Sequence, residues 1–174
     1  AEKGIKYFFL WRWVMKNLAL SHNAAYRAIK KVKPDAEINF VHHVIVFEAN
    51  WNPFNKIKAR IANYSWTHVF MKRTAGHYDT IGLNYYFYTK FGDKREWKKT
   101  DMNWNFAPEK IYEAYMMLKR YKKPVVLCEA GLADHDDSDR AEYITKQIDA
   151  TWRALQSGVD VRGHIYWSLF DNYE

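Results

Sequence analysis

The sequence predicts an α/β fold built on a parallel sheet. Four short segments are rich in β-branched and aromatic residues and nearly continuously apolar: 37–47, 78–88, 124–128 and 161–170. A stretch with helical periodicity stands ahead of each, so the order is α-β-α-β-α-β-α-β. Connections of that length are crossovers rather than hairpins, and they return the chain to begin each strand in the same direction. Right-handed crossovers leave two architectures, an open doubly wound sheet or part of a (β/α)8 barrel. No glycine-rich phosphate loop follows any strand, which weighs against the nucleotide-binding forms.

The first helix is expected from Trp11 to Val32, with Trp11, Val14, Leu18, Ala25, Ile29 and Val32 on one face and Pro34 stopping it. The stretch EINFVHHVIVF (37–47) then has the unbroken apolar character of a strand buried on both faces. Asn52 followed by Pro53 is a helix start, and Ile57, Ile61, Tyr64 and His68 form the stripe of the second helix. YDTIGLNYYFY (78–88) is the second strand. A polar connection carrying Trp97 and Trp104 leads to a third helix over 108–121, held inward by Ile111, Tyr115 and Leu118. PVVLC (124–128) is the third strand, ending on Glu129, with Gly131 turning the chain away. Ser138 is the expected cap of the last helix, whose inner face is Ile144, Ile148, Trp152 and Leu155, and Gly158 ends it. The fourth strand is VRGHIYWSLF (161–170).

All 174 residues are expected to form a single domain, a length that buries a real core. Hydrophobic residues make up 48% of the chain with only four prolines and seven glycines, which describes a folded globule rather than a disordered segment. Net charge is +7, but basic runs such as KIKAR and KRYKK alternate with acids and apolar anchors as solvated helix faces do. No nucleic-acid-binding signature accompanies them. The single Cys128 excludes an internal disulfide and a cysteine-rich zinc site. No stretch is apolar for long enough to span a bilayer and no leader pattern is present, so a soluble, cytoplasmic protein is expected. The start at Ala1 rather than Met leads to the expectation of a chain processed or excised from a longer one.

In parallel α/β proteins chemistry gathers where strands end. Here those ends carry Glu48; then Asn84, Tyr85 and Tyr86; then Glu129; then Trp167, Asp171, Asn172 and Glu174. For each residue alone, capping of a loop is the ordinary explanation. As a set, carboxylates, amides, phenols and an indole suit a sugar, whose C–H face stacks on rings while its hydroxyls meet polar groups. A glycosidase needs two carboxyl groups about the scissile bond. Glu129, leaving a rigid strand, is the natural nucleophile, and no equally persuasive proton donor accompanies it.

The segments YDTIGLNYYFY, PVVLCEAGLAD (124–134) and GVDVRGHIYWSLFDNYE (158–174) resemble the second half of glycoside hydrolase family 1, the β-glucosidase and β-galactosidase group. NLALSHNAAYRAIKKVKPDAEINFVHHVIVFE (17–48) continues the resemblance in register, so it covers about Lys16 to Glu174. The resemblance implies a parallel (β/α) half-barrel matching strands 5–8 of a TIM (β/α)8 barrel, and hydrolysis with retention. It implies that Glu129 is the nucleophile, that Tyr86 orients and hydrogen-bonds it with Asn84 alongside, and that Trp167 and Glu174 hold hydroxyls of the sugar. Departures accompany the match. Cys128 and Ala130 replace the usual Thr and Asn around the nucleophile, His164 replaces an aromatic or aliphatic residue, and the Asn-Glu-Pro motif of the acid/base is absent.

The expected activity is therefore that of a retaining β-glycosidase segment, weak or inactive in isolation, with a β-linked glycoside as substrate and no cofactor. Glu48 is a conceivable substitute donor, though the family carries an acid there without catalytic use. The two unpaired edges of half a barrel predict pairing with a missing N-terminal half-barrel or with a second copy of the chain. The alternative expectation is an engineered or reconstructed half-barrel scaffold without hydrolase activity, one that self-associates or binds a planar cofactor such as a porphyrin. Metal is not expected. His42 and His43 are adjacent on a strand and point to opposite faces, and the acids at 134–139 lack EF-hand spacing and precede a helix.

Overall fold

The computed structural model describes residues 2–170, with side chains described from Leu10 onward. The expectations placed on Asp171, Asn172 and Glu174 lie outside the described residues. The chain runs α1 (Glu2–Val32), β1 (Asn39–Ala49), α2 (Pro53–Asn63), a π-turn (Tyr64–His68), α3 (Val69–Arg73) and β2 (Thr80–Phe91). A 3-10 turn (Pro108–Lys110) opens α4 (Ile111–Lys119), followed by β3 (Val125–Ala130), α5 (Arg140–Gln156) and β4 (Val161–His164). The strands form one sheet in the order β1-β2-β3-β4, and every neighbouring pair is parallel. Among the described residues no helix is long and apolar enough to cross a membrane.

The helices cover one face of this sheet. Val44, Val46, Ile81, Leu83, Tyr85, Val125 and Leu127 point to that side and are almost fully buried. They meet Phe70 and Met71 of α3, Ile111, Ala114, Tyr115 and Leu118 of α4, and Ala150 and Ala154 of α5. Each large side chain buried this completely contributes about 1.5–3 kcal/mol. α4 follows its expected stripe because Ile111, Tyr115 and Leu118 fall at helical spacing and all three are fully buried.

The opposite face is open. Val41 of β1 is 48% exposed, so the strand expected to be covered on both sides is covered on one. Its run of apolar residues serves an interior that four strands alone do not close. The fourth strand ends at His164 rather than 170, although Ile165 and Trp167 still donate amides to Leu127 O and Ala130 O, each at 2.9 Å.

Three helices do not turn their expected faces to the sheet. α1 docks through a mostly polar stripe. His22 bonds His77 O, Asn23 donates to Arg73 O, and Lys30 pairs with Asp79 at 2.9 Å, while Val14, Leu18, Ile29 and Val32 are exposed. On α2, Ile57 and Ile61 are exposed and Ala59 is buried. The π-turn then adds a residue to the helical repeat and rotates the chain, so Thr67, His68, Phe70 and Met71 become the buried set. On α5 the sheet-facing residues are Tyr143, Gln147, Ala150, Thr151 and Ala154; Ile148, Trp152 and Leu155 are exposed. Small residues let this helix approach the sheet closely.

The caps repeat the lesson. Asn52 caps α2 as expected, accepting from the Phe54 amide at 2.9 Å with Pro53 in the first turn. The residue capping α5 is Asp139, not Ser138, and its side chain pairs with Lys98 instead of the helix amides. Gly158, at φ +82, does end that helix, its amide donating to Leu155 O at 2.9 Å.

Candidate active site

Strict alternation cannot bring Tyr86, Asn84 and Glu129 together, because successive strand residues point to opposite faces. Two register shifts near the strand ends solve this. Leu83 lies opposite Leu127, but Asn84 lies opposite Glu129, so Cys128 is an extra residue in β3. Leu83 and Leu127 are buried under the helices, and the inserted residue lets Glu129 rotate onto the open face beside Asn84. On β2, Val44 pairs with Tyr85 and Val46 with Tyr88, so Tyr86 and Phe87 together oppose one residue of β1. Tyr85 and Tyr88 are buried on the helix side, the Tyr85 hydroxyl donating to Ala107 O at 2.8 Å. Tyr86 and Phe87 are the pair released to the open side.

On that side the Tyr86 hydroxyl donates to Glu129 Oε2 at 3.2 Å. His43 and Trp104 complete the surroundings. The Tyr86 ring meets His43 at 5.9 Å and Trp104 at 5.8 Å between centroids, and Phe87 meets them at 5.2 and 4.4 Å. Burial pushes the His43 imidazole below its ordinary pKa, with the charge of Glu129 opposing the shift. The Cys128 thiol is pushed up by burial first and by the Glu129 charge second, while a hydrogen bond with Asn39 opposes both. Both groups thus lie within the field of one carboxylate. Asn84 Oδ1 is buried with no hydrogen-bond partner among the described residues, an acceptor left open beside Glu129.

Trp167 joins through its backbone. Its amide bonds Ala130 O, and its carbonyl lies 1.8 Å from where a β-carbon on Gly131 would stand. Gly131 therefore serves a close approach of two backbones rather than the turn the sequence led us to expect, and this fixes Trp167 beside the end of β3. Its side chain is partly exposed.

Glu48 is not part of this group. It faces the helices, where Lys110 Nζ approaches Oε1 at 2.7 Å and the Tyr88 hydroxyl donates to Oε2 at 2.8 Å. Burial would raise its pKa, but the Lys110 ammonium and the Tyr88 hydroxyl outweigh it and hold the carboxyl below its ordinary range. Two saturating partners make Glu48 a tether between β1, β2 and the 3-10 turn that opens α4. His164 likewise points to the helices, 3.4 Å from Thr151 Oγ1. Among the described residues no three His, Cys, Asp or Glu side chains are grouped to hold a metal ion. The acids after Gly131 are engaged locally: Asp134 accepts from the Asp139 amide, and Asp136 from the Ser138 amide.

The family model described as "Glycosyl hydrolase family 1" matches residues 84–174. A β-galactosidase of Sulfolobus acidocaldarius is 36% identical over 118 residues, covering 55% of this chain and 24% of that protein. A β-galactosidase of Pyrococcus woesei is 27% identical over an alignment that takes in 100% of this chain and 37% of its own length. Among solved structures, Fpglu1 from Fervidobacterium pennivoraus superposes with a TM-score of 0.83 at 28% identity, over 92% of this chain and 41% of that one. The chain thus spans about a quarter to two fifths of the length of the proteins it matches.

Proposed function

This chain belongs to glycosyl hydrolase family 1, and from that premise we propose that it is the nucleophile-bearing part of a retaining β-glycosidase acting on β-linked glycosides. Relatives named β-galactosidase and β-glucosidase support the substrate class. The observation that carries the reading is the hydrogen bond from the Tyr86 hydroxyl to Glu129 Oε2, made across neighbouring strands on the open face of the sheet.

In the proposed reaction Tyr86 fixes one carboxylate oxygen of Glu129 and leaves the other free for attack. That oxygen bonds to the anomeric carbon as the bond from this carbon to the aglycone oxygen breaks, and the aglycone leaves with the electron pair. Water then attacks the same carbon from the opposite side to Glu129; the bond from this carbon to the Glu129 oxygen breaks, the water gives up one proton to solvent, and the sugar is released with its original configuration as the carboxylate is restored. Asn84 and Trp167 flank Glu129 and would bind sugar hydroxyls and stack on the ring; Glu174 is the third residue proposed for this role.

The second carboxyl group, which would protonate the aglycone, is assigned in this reading to barrel strands outside these 174 residues. Its contribution is about 10²–10⁴-fold. Residues 1–174 on their own would therefore act on glycosides whose aglycone leaves readily as an anion, with full activity requiring the other half of the barrel.

A 2-deoxy-2-fluoro glycoside with a dinitrophenyl leaving group tests this, since it forms the glycosyl intermediate and hydrolyses it slowly. Intact mass should show one added fluoroglycosyl group, mapped to the peptide containing Glu129 and lost in Glu129→Gln. No adduct, or an equal adduct in the variant, would rule the reading out.

A further inference from the structure

We infer that His43 is a positioning residue for the nucleophile: as a neutral ring it seats Tyr86 against Glu129, and once protonated it slows the attack. The inference rests on the reading of Glu129 as the nucleophile. It uses only contacts made within the described residues.

The strand register sets three side chains in one row across the sheet. His43 on β1 is paired with Asn84 on β2, and Asn84 with Glu129 on β3. One register shift lies just before this row and the other just after it, so both act on the level where His43 stands. His43 Nε2 and Asn84 Oδ1 are screened from solvent and, among the described residues, have no hydrogen-bond partner.

The imidazole packs against the group that holds the nucleophile. It meets the Tyr86 ring at 88° and 5.9 Å, and the Phe87 ring at 30° and 5.2 Å. The perpendicular contact is a favourable ring geometry, and it steadies the phenol whose hydroxyl donates to Glu129 Oε2. The His43 carbonyl accepts from the Trp66 indole at 2.9 Å, which pins the backbone at this position. His43 thus works through Tyr86 and through its charge on Glu129, not on the substrate.

Burial favours the neutral imidazole, and the Glu129 carboxylate opposes it. The influence is mutual: a carboxylate that favours the imidazolium is itself stabilised by it. Attack spends that carboxylate charge in a bond to the anomeric carbon while positive charge develops on the sugar. A cation in the same row opposes both changes. The other titratable groups about His43 are Tyr86; His42 on the opposite face of β1, lowered to about 4; and His22 of α1, which lines the same groove and bonds His77 O.

The test is the pH dependence of labelling by the 2-deoxy-2-fluoro dinitrophenyl glycoside. As the pH falls, labelling of the parent should slow more steeply than that of His43→Phe, which keeps a ring beside Tyr86 but takes no proton. Protonation of His43 should account for about tenfold. At about pH 8, above the ordinary histidine range, His43→Phe should match the parent, and His43→Ala, without a ring, should approach the slower Tyr86→Phe. Proton NMR gives a second readout that needs no substrate: the His43 pKa should fall by about one unit in Glu129→Gln. Equal acid limbs in the parent and His43→Phe, parent-like labelling by His43→Ala, or a His43 titration indifferent to Glu129→Gln would overturn the inference and leave a labelled Glu129 standing. No labelling of any of these proteins would overturn the glycosidase reading and this inference together.

Discussion

Replacing Gly131 with Ala should be among the most damaging single-methyl additions in the molecule. A β-carbon there would lie 1.8 Å from the Trp167 carbonyl oxygen, where real contacts essentially never fall below 3.0 Å. The obstacle is backbone, so no side chain can swing aside. Relief requires the segment after β4 to move away from β3 by more than 1 Å, which breaks the bond from the Trp167 amide to Ala130 O. Overpacking of this kind costs about 1–3 kcal/mol and the lost hydrogen bond about 1 kcal/mol. We expect a loss of about 3 kcal/mol, or a fall in Tm of about 6–12 °C for a chain of this length. Urea unfolding followed by tryptophan fluorescence, with thermal melts by circular dichroism, reads both quantities. Gly76→Ala is the comparison: Gly76 sits at φ +80 with nothing near its missing β-carbon, so only backbone strain of about 1–2 kcal/mol applies. If Gly131→Ala unfolds within 0.5 kcal/mol of the parent, taken as roughly the usual scatter for a harmless change, or costs less than Gly76→Ala, the account of this contact is wrong.

Tyr86→Phe removes one hydroxyl donor to a carboxylate, about 1.5 kcal/mol, and should slow labelling by the fluoroglycoside about tenfold while leaving Tm nearly unchanged. An unchanged labelling rate would detach Tyr86 from the nucleophile. Burial, reinforced by the charges of His43 and His68, lowers His42 from 6.5 to about 4. The unfolded chain therefore binds the proton first, so stability is full above pH 6.5 and is lost as the pH falls toward 4, by about 3 kcal/mol. Melts across this window should flatten in His42→Gln, and an identical slope would refute the assignment. Gln147 is fully buried on α5 with neither amide atom hydrogen-bonded among the described residues. Gln147→Leu should raise stability by about 1–2 kcal/mol in urea titration, and a loss would mean the amide is satisfied.

The strands and α4 were legible in the sequence because both are set by local pattern. A buried strand is an apolar run, and Ile111, Tyr115 and Leu118 recur at helical spacing against a sheet that covers them. The register shifts at Cys128 and at Tyr86–Phe87 carry no such mark. No Gly or Pro stands at either, and a shift becomes visible only when one strand is laid against the next. Those shifts assemble the candidate site, so the proximity of Tyr86 to Glu129 came from the family resemblance and not from spacing. His43 and Trp104 escaped altogether. They meet Tyr86 from another strand and from a loop, and the sequence offered His43 only as half of a chelating pair that strand geometry forbids.

The misjudged faces of α1 and α5 have a common cause. Periodicity selects the largest apolar residues, and on α1 and α5 these are Val14, Leu18, Ile148 and Trp152, all exposed. A helix in a (β/α) barrel has two kinds of contact, one with the sheet beneath and one with the helices on either side. Close approach to the sheet favours small residues, and α5 meets it with Ala150, Thr151 and Ala154. Large residues then fall on the flanks, where neighbouring helices bury them. α4 has neighbours on its flanks and its apolar residues are covered, whereas α1 and α5 stand at the two ends of the sheet and, among the described residues, each has a helix on one flank only. The apolar stripe was therefore real, but its partner is a helix rather than the sheet. On α2, which lies inside the row, the large apolar residues Ile57 and Ile61 face outward instead and Ala59 takes the buried position.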